Sequence, residues 1–309
     1  MHGRCLALAL AWALLASIGG PGVASAEVTV VDASGRGVLV KDASRILCIG
    51  GDVTEIVYAL GAGARVTAVD TTSQYPPRAL REKTSVGYMR ALSSEGVISV
   101  GATLVVASER AGPPEVVKAL KASSVPYVEV PDEYSPEGLV KKIRLIARAI
   151  SSETEGERLA QSVAARFATL AALRTRIGRP VRALFVLGVQ NGRIIIGGKD
   201  TSADAILELA GAQNVAAGIS GFRPVGEEAI LSLAPEVIVG MRRVSEDAPH
   251  DLSQLLTMKG VQATPAGAAR RLIVMDGSYL LAFGPRAPEA ARELMRAVYP
   301  ELRDAGGPQ

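Results

Sequence analysis

Histidine and cysteine are nearly missing from this chain: its 309 residues include two of each. His2 and Cys5 fall in an N-terminal leader, which leaves His250 and Cys48. A lone cysteine cannot form an internal disulfide. Cys48 lies in the apolar run "RILCIGG" and reads as a buried, inert thiol, with thiol chemistry as the lesser alternative. A single histidine leaves no material for a catalytic triad or a His-rich metal site. The GxSxG elbow, the HExxH signature and the P-loop are absent as well. "LGAGAR" at 60–65 has a GxG but no third glycine, and reads as a helix C-cap followed by a turn. Glu95, Glu227 and Glu228 are carboxylates that nothing in the sequence pairs as acid and base. An enzyme is disfavoured. Concentrated charge is also missing: the formal net charge is +3, with both signs dispersed. That disfavours a nucleic-acid binder, which would carry a basic face.

Long apolar runs are scarce too. "CLALALAWALLASIGG" follows the charged "MHGR" and is short of the ~18 residues expected of a membrane span. Ala24-Ser25-Ala26 then supplies the small-x-small pattern of a cleavage site, so residues 1–26 read as a signal peptide and the mature chain as starting at Glu27. An uncleaved anchor is the alternative. Cys5 sits too early in the run to be a lipobox cysteine. The expectation is an exported, soluble protein of roughly 280 residues, near the size at which one core gives way to two.

What the chain does have is alternation. From residue 44 to 150, strand-like runs ("RILCIGG", "RVTAVD", "ATLVVAS", "PYVEVP") alternate with helical periods ("DVTEIVYALGAG", "PPEVVKALKASS"). After Pro180 the pattern restarts with "RALFVLG", "TSADAILELAGA", "EVIVGM", "RLIVMDG" and "APEAARELMRAVY". Such alternation predicts parallel βαβ units in two α/β lobes, 44–150 and 179–309. Between them, residues 151–178 hold apolar positions three and four apart: Leu159, Val163, Phe167, Leu170, Leu173 and Ile177. This predicts one amphipathic helix of roughly 35 Å, a stiff strut rather than a flexible linker. The fold class is thus α/β, two Rossmann-like lobes joined by one long backbone helix. A ligand cleft is expected between the carboxyl ends of their strands.

One stretch stands out in a chain with 4% aromatic residues: "VGYMRALSSEG", residues 86–96. It puts Tyr88 after a glycine and two residues before Arg90. A phenol in such a turn either packs its ring or ligates a metal, and these residues alone leave both readings open. A phenolate is a hard oxygen donor suited to ferric iron. Its free pKa near 10 requires help from the metal and from a cation, for which Arg90 is a candidate.

"GGDVTEIVYALGAGARVTAVDTTSQYPP", "VGYMRALSSEGV", "SERAGPPEV" and "LAFGPRAPEAARELM" together resemble the haem (hemin) ABC-transporter substrate-binding proteins. These are a branch of the helical-backbone (class III) periplasmic binding proteins, which also carry ferric siderophores and cobalamin. The resemblance covers residues 44–300, and its most specific part is the tyrosine motif with "LSSEG". It implies a periplasmic carrier that captures ferric haem b in the interlobe cleft, with Tyr88 as axial iron ligand. It also implies delivery to an ABC permease dimer in the inner membrane, downstream of an outer-membrane haem receptor system, by a protein acting as a monomer. Arg90, Arg110, Arg242 and Arg243 become haem-pocket and propionate candidates, with Arg242 preferred for the second-lobe arginine near the ligating oxygen. Glu95 and Glu228, each opening a helix where the dipole also favours a carboxylate, become permease-docking candidates. Two departures matter. Where some relatives add a second-lobe histidine, "VLGVQNGR" offers Gln190 and Asn191, so a five-coordinate iron is expected. Arg110 stands where relatives commonly carry a small residue. The rivals are the same fold with a ferric siderophore or cobalamin, a secreted α/β enzyme, and a haem sensor or store without a transporter.

Overall fold

A hairpin precedes anything the periodicity foresaw: β1 (Val28–Val31) pairs antiparallel with β2 (Gly37–Val40) and sends Val30, Val38 and Val40 into the core. The chain is seen in a computed structural model that describes residues 27–242 and 252–304. Arg243, His250 and the leader lie outside the described residues.

The first α/β half follows as expected. Its strands are β3 (Ile46–Ile49), β4 (Val66–Val69), β5 (Thr84–Ser85), β6 (Leu104–Ser108) and β7 (Tyr127–Val130). They form one parallel sheet in the order β5-β4-β3-β6-β7. A sheet covered on both faces wants unbroken apolar strands, and "ILCI" and "LVVAS" are buried at every position. Burial pushes the Cys48 thiol in β3 up to about 12, so it is the inert thiol that its apolar setting implied. The connecting helices are α1 (Gly51–Ala59), α2 (Arg78–Glu82), α3 (Ser94–Ser99), α4 (Pro114–Lys121) and α5 (Pro136–Ala149).

The strut is α6 (Glu153–Arg174), 22 residues and ~33 Å at 1.5 Å per residue. Glu153 and Glu155 sit at its positive end and Arg174 at its negative end, which suits the macrodipole. It stops one turn before Ile177, whose side chain instead packs beside Gly211. Val163, Phe167 and Leu170 are buried as the period demanded, and so are Gly156 and Ala160. Gly156 is where α6 crosses α5: a Cβ there would overlap the Ala147 methyl. Gly156→Leu should therefore force the helices apart and cost ~1–3 kcal/mol, read as a lower urea midpoint at unchanged slope.

The second half departs from the all-parallel expectation. Its strands are β8 (Arg182–Gln190), β9 (Arg193–Gly197), β10 (Gln213–Asn214), β11 (Phe222–Val225), β12 (Val237–Arg242) and β13 (Leu272–Asp276). The order is β11-β9-β8-β12-β13, with β10 also pairing β8. β8, β12 and β13 run parallel, but β8–β9 and β9–β11 are antiparallel. The reason is the Asn191-Gly192 turn, both residues at positive φ (50° and 71°), which folds β8 straight back onto β9. Helices α7 (Ser202–Leu209), α8 (Glu227–Leu233), α9 (Lys259–Gln262), α10 (Pro265–Ala268), α11 (Gly277–Leu281) and α12 (Ala287–Val298) complete it.

One apolar core runs through both halves by way of α6, joining Ile143, Val163, Phe167, Leu207 and Leu294. A second tie crosses from α1 to the turn before α12. The buried Glu55 carboxylate accepts from the Arg286 backbone N–H (3.0 Å) and guanidinium (2.9 Å). That guanidinium lies 3.5 Å from the Tyr75 ring centroid and 5.1 Å from that of Tyr279. Beside it the buried Phe283 ring meets Tyr134 edge-on at 5.4 Å. The two halves are thus joined at two places, and the cleft lies between them.

Candidate ligand-binding site

The cleft is built from loops that leave the carboxyl ends of strands, the place α/β sheets reserve for ligands. From the first half come Gly51 after β3, Thr71, Thr72 and Gln74 after β4, and Tyr88, Met89 and Arg90 after β5. Ser108 and Arg110 come from β6 and the turn after it, and Asp132 and Tyr134 follow β7. The second half adds Leu187, Ser202, Phe222, Met241 and Arg242, then Ser278, Leu281 and Ala282. Together they enclose about 590 Å³, within the ~300–1,000 Å³ usual for a small-molecule site.

Tyr88 is fixed at its backbone and free at its phenol. Gly87 sits at φ +86°, a left-handed turn that glycine adopts without strain. Its carbonyl accepts from Thr71 N–H at 2.9 Å, and the Tyr88 carbonyl accepts from Ala91 N–H at 2.8 Å. Gly112 clamps the next residues, donating to the Met89 carbonyl and accepting from Leu92 N–H, both at 2.9 Å. The side chain is 46% exposed, and among the described residues its hydroxyl has no hydrogen-bond partner. The phenol therefore stands at the cavity wall with its oxygen open to the cavity.

The structure brings Tyr88, Arg90, Arg110 and Arg242 to one cavity, but the three cations differ. Arg90 and Arg242 are exposed, and neither has an ion pair among the described residues. Arg110 is committed: its guanidinium is in direct ion contact with Asp132 and lies 5.0 Å from the Tyr134 ring centroid. Asp132 also accepts from the Tyr134 hydroxyl at 2.7 Å and faces Lys142 at 3.5 Å. Lys142, 1% exposed, donates to Asp52 at 2.5 Å. Burial alone would lower the Lys142 pKa, but the two carboxylates outweigh it and hold the ammonium above the ordinary lysine range. Burial pushes the Asp52 carboxyl up while Lys142 holds it back. This row, Asp52–Lys142–Asp132–Arg110, runs from the buried Lys142 out to the part-exposed Arg110, is charge-balanced and forms the cleft floor. Its members are scattered over the sequence.

Beyond Arg110 an adjoining recess of about 420 Å³ is walled by Asp200, Asp204 and Glu208. Anionic groups are disfavoured there. Glu95 and Glu228 lie outside the cleft, exposed in the first turns of α3 and α8. Glu227 differs from its neighbour, because its carboxylate accepts from Gly260 N–H at 2.6 Å and holds α9 in place. Among the described residues no group of three or more His, Cys, Asp or Glu could hold a metal ion, and no helix is long and apolar enough to cross a membrane.

Residues 46–279 match the periplasmic binding protein family. Among solved structures, the apo form of the periplasmic haem-binding protein RhuT from Roseiflexus sp. RS-1 is 35% identical, with a TM-score of 0.77 over 85% of this chain and 100% of that one. The periplasmic haem-binding protein BhuT in complex with two haems is 33% identical, with a TM-score of 0.76 over 84% and 98%. Among curated relatives, the ABC transporter substrate-binding lipoprotein YvrC of Bacillus subtilis is 28% identical over 89% of this chain and 86% of its own. A vitamin B12-binding protein of Vibrio campbellii is 25% identical over 65% and 71%.

Proposed function

Because the chain belongs to the periplasmic binding protein family, whose members here are substrate-binding transport proteins and not enzymes, we propose that it captures ferric haem in the interlobe cleft for an ABC importer. The observation that carries this reading is Tyr88, a phenol with no protein partner on a rigid loop at the cavity wall. A phenolate is a hard donor matched to ferric iron, and the protein sets haem behaviour through such an axial ligand. Met89, Leu187, Phe222, Met241 and Leu281 offer the apolar contact that a porphyrin plane needs. Arg90 and Arg242 would receive the propionates. Arg110 remains a candidate at the same cavity, where it would meet a propionate only by sharing its contact with Asp132. Arg243 keeps its candidacy from the resemblance alone. Gln190 and Asn191 stand where some relatives carry a second-lobe histidine, so the iron is read as five-coordinate.

The rest of the reading concerns delivery. Glu95 and Glu228 are the carboxylates offered to a permease dimer, with the leader sending the chain to the periplasm as a monomer. An outer-membrane haem receptor system would supply the cargo. The rival cargo is cobalamin, favoured by the likeness to vitamin B12-binding proteins. An absorption titration with hemin, run beside one with cyanocobalamin, separates the two. The expected result is a saturable hemin spectrum with a ferric-phenolate charge-transfer band and no change with cyanocobalamin. Saturation by cyanocobalamin alone reverses the assignment.

A further inference from the structure

One helix–strand segment recurs in both halves with the same pattern of apolar and exposed positions. Glu95–Ser108 and Glu228–Met241 align without a gap: "EGVISVGATLVVAS" on "EAILSLAPEVIVGM". Each segment is a short helix, α3 or α8, leading into the strand next to the first strand of its lobe, β6 beside β3 or β12 beside β8. Burial follows the same order. Val97 and Ile230 are buried at one position, and Ser99 and Ser232 are exposed two further on. Even the chain reversal matches, with Gly101 and Ala234 both at positive φ (61° and 43°).

Within this repeat one position is out of place on a solvated helix. Ile98 is 58% exposed and Leu231 is 46% exposed. Among the described residues these are the only large, exposed hydrophobic side chains that lie on helices. Isolated exposed aliphatics need no explanation. These two are not isolated: they occupy one register of a repeat, each three residues after an exposed carboxylate and so on the same helix face. Glu228 is further set apart from Glu227, whose carboxylate is tied to Gly260.

We propose that Glu95 with Ile98, and Glu228 with Leu231, form two equivalent docking patches for a two-fold-symmetric membrane partner. Each half of that partner presents a cationic side chain beside an apolar socket. The inference rests on the permease-docking reading of the two glutamates and adds the apolar half of each contact. A pseudo-symmetric pair of patches fits a dimer whose halves are related by two-fold symmetry. The charge steers and orients the approach, while the desolvated aliphatic slows departure.

The test uses the haem-loaded full chain and the permease–ATPase complex it serves, held in lipid nanodiscs. Ile98→Ser/Leu231→Ser is expected to weaken binding tenfold or more at every salt concentration, with unchanged hemin titration and thermal midpoint. Glu95→Gln/Glu228→Gln is expected to weaken it comparably and to flatten its salt dependence. Loss with the glutamine pair but not the serine pair overturns the apolar contact and leaves the docking reading standing. Loss with neither pair removes both. An effect confined to one lobe's residue, or one accompanied by altered hemin binding, overturns the symmetric patch.

Discussion

Tyr88→Phe should weaken ferric haem binding by at least about 100-fold, which is ~2.8 kcal/mol at 1.4 kcal/mol per tenfold, and should abolish the charge-transfer band. Phenylalanine keeps the ring, the Gly87 turn and the Gly112 clamp, so the loss isolates the oxygen. The backbone bonds around residue 88 involve no side-chain atom of Tyr88, and the thermal midpoint should not move. Two further readouts belong to the same experiment. Reduction to the ferrous state should release haem from the unsubstituted chain, because phenolate favours the harder ferric ion. Arg90→Ala and Arg242→Ala should each weaken binding more modestly and keep the band, as expected of groups that meet propionates rather than iron. A Tyr88→Phe protein that binds hemin with the band intact would require another phenolate, and Tyr134 is the other tyrosine lining the cavity.

The second large effect is on stability. Lys142→Met leaves Asp52 and Asp132 facing each other without the ammonium between them, and should cost about 3–5 kcal/mol, measured by urea unfolding at pH 7. The sign of its pH dependence follows from Asp52. Burial already pushes that carboxyl up, and without Lys142 it rises further. An acid raised in the folded chain holds a proton that the unfolded chain, with aspartate near 3.9, has released. Stability gained this way is full at low pH and lost as pH climbs through the folded pKa. The deficit of the variant should therefore narrow as pH falls from 7 toward the ordinary aspartate range. Adding Asp52→Asn should recover part of the loss. A deficit below ~1 kcal/mol that ignores pH would mean that water reaches these carboxylates.

Much of this was legible in the sequence because it is periodic. Val163, Phe167 and Leu170 recur at helical spacing, so the strut could be placed to within a turn at its far end; Ile177 extended the period but belongs to the turn beyond. "ILCI" and "LVVAS" are long enough apolar runs to be buried strands. The misses have two causes. The hairpin β8–β9 carries an explicit signal, Asn191-Gly192 between apolar alternations, which strand–helix alternation alone does not register. The floor of the cleft carried no local signal at all. Lys142 is 90 residues from Asp52 and 10 from Asp132, and nothing in "LVKKIRL" marks the second lysine as buried except its place on the apolar face of α5. Arg110 looked like a free cation for the same reason: its carboxylate lies 22 residues on, after the next strand. Gly156 carries no local sign that it is the contact that lets α5 and α6 touch. Tyr88 was the reverse case, since a turn glycine before an aromatic is a local feature and needs no tertiary knowledge to notice.

The Glu55–Arg286 tie joins residues 231 positions apart. A chain that emerges from its N-terminus can complete the first sheet while the second half is still unmade, since β3 to β7 pair only with one another. It cannot complete the cavity. The wall that carries Leu281 and Ala282, and the arginine that locks α1 against it, are among the last residues to arrive. The binding site is thus an end-product of assembly, and a chain cut short before β8 would lack every second-half residue of the cavity wall while keeping Tyr88.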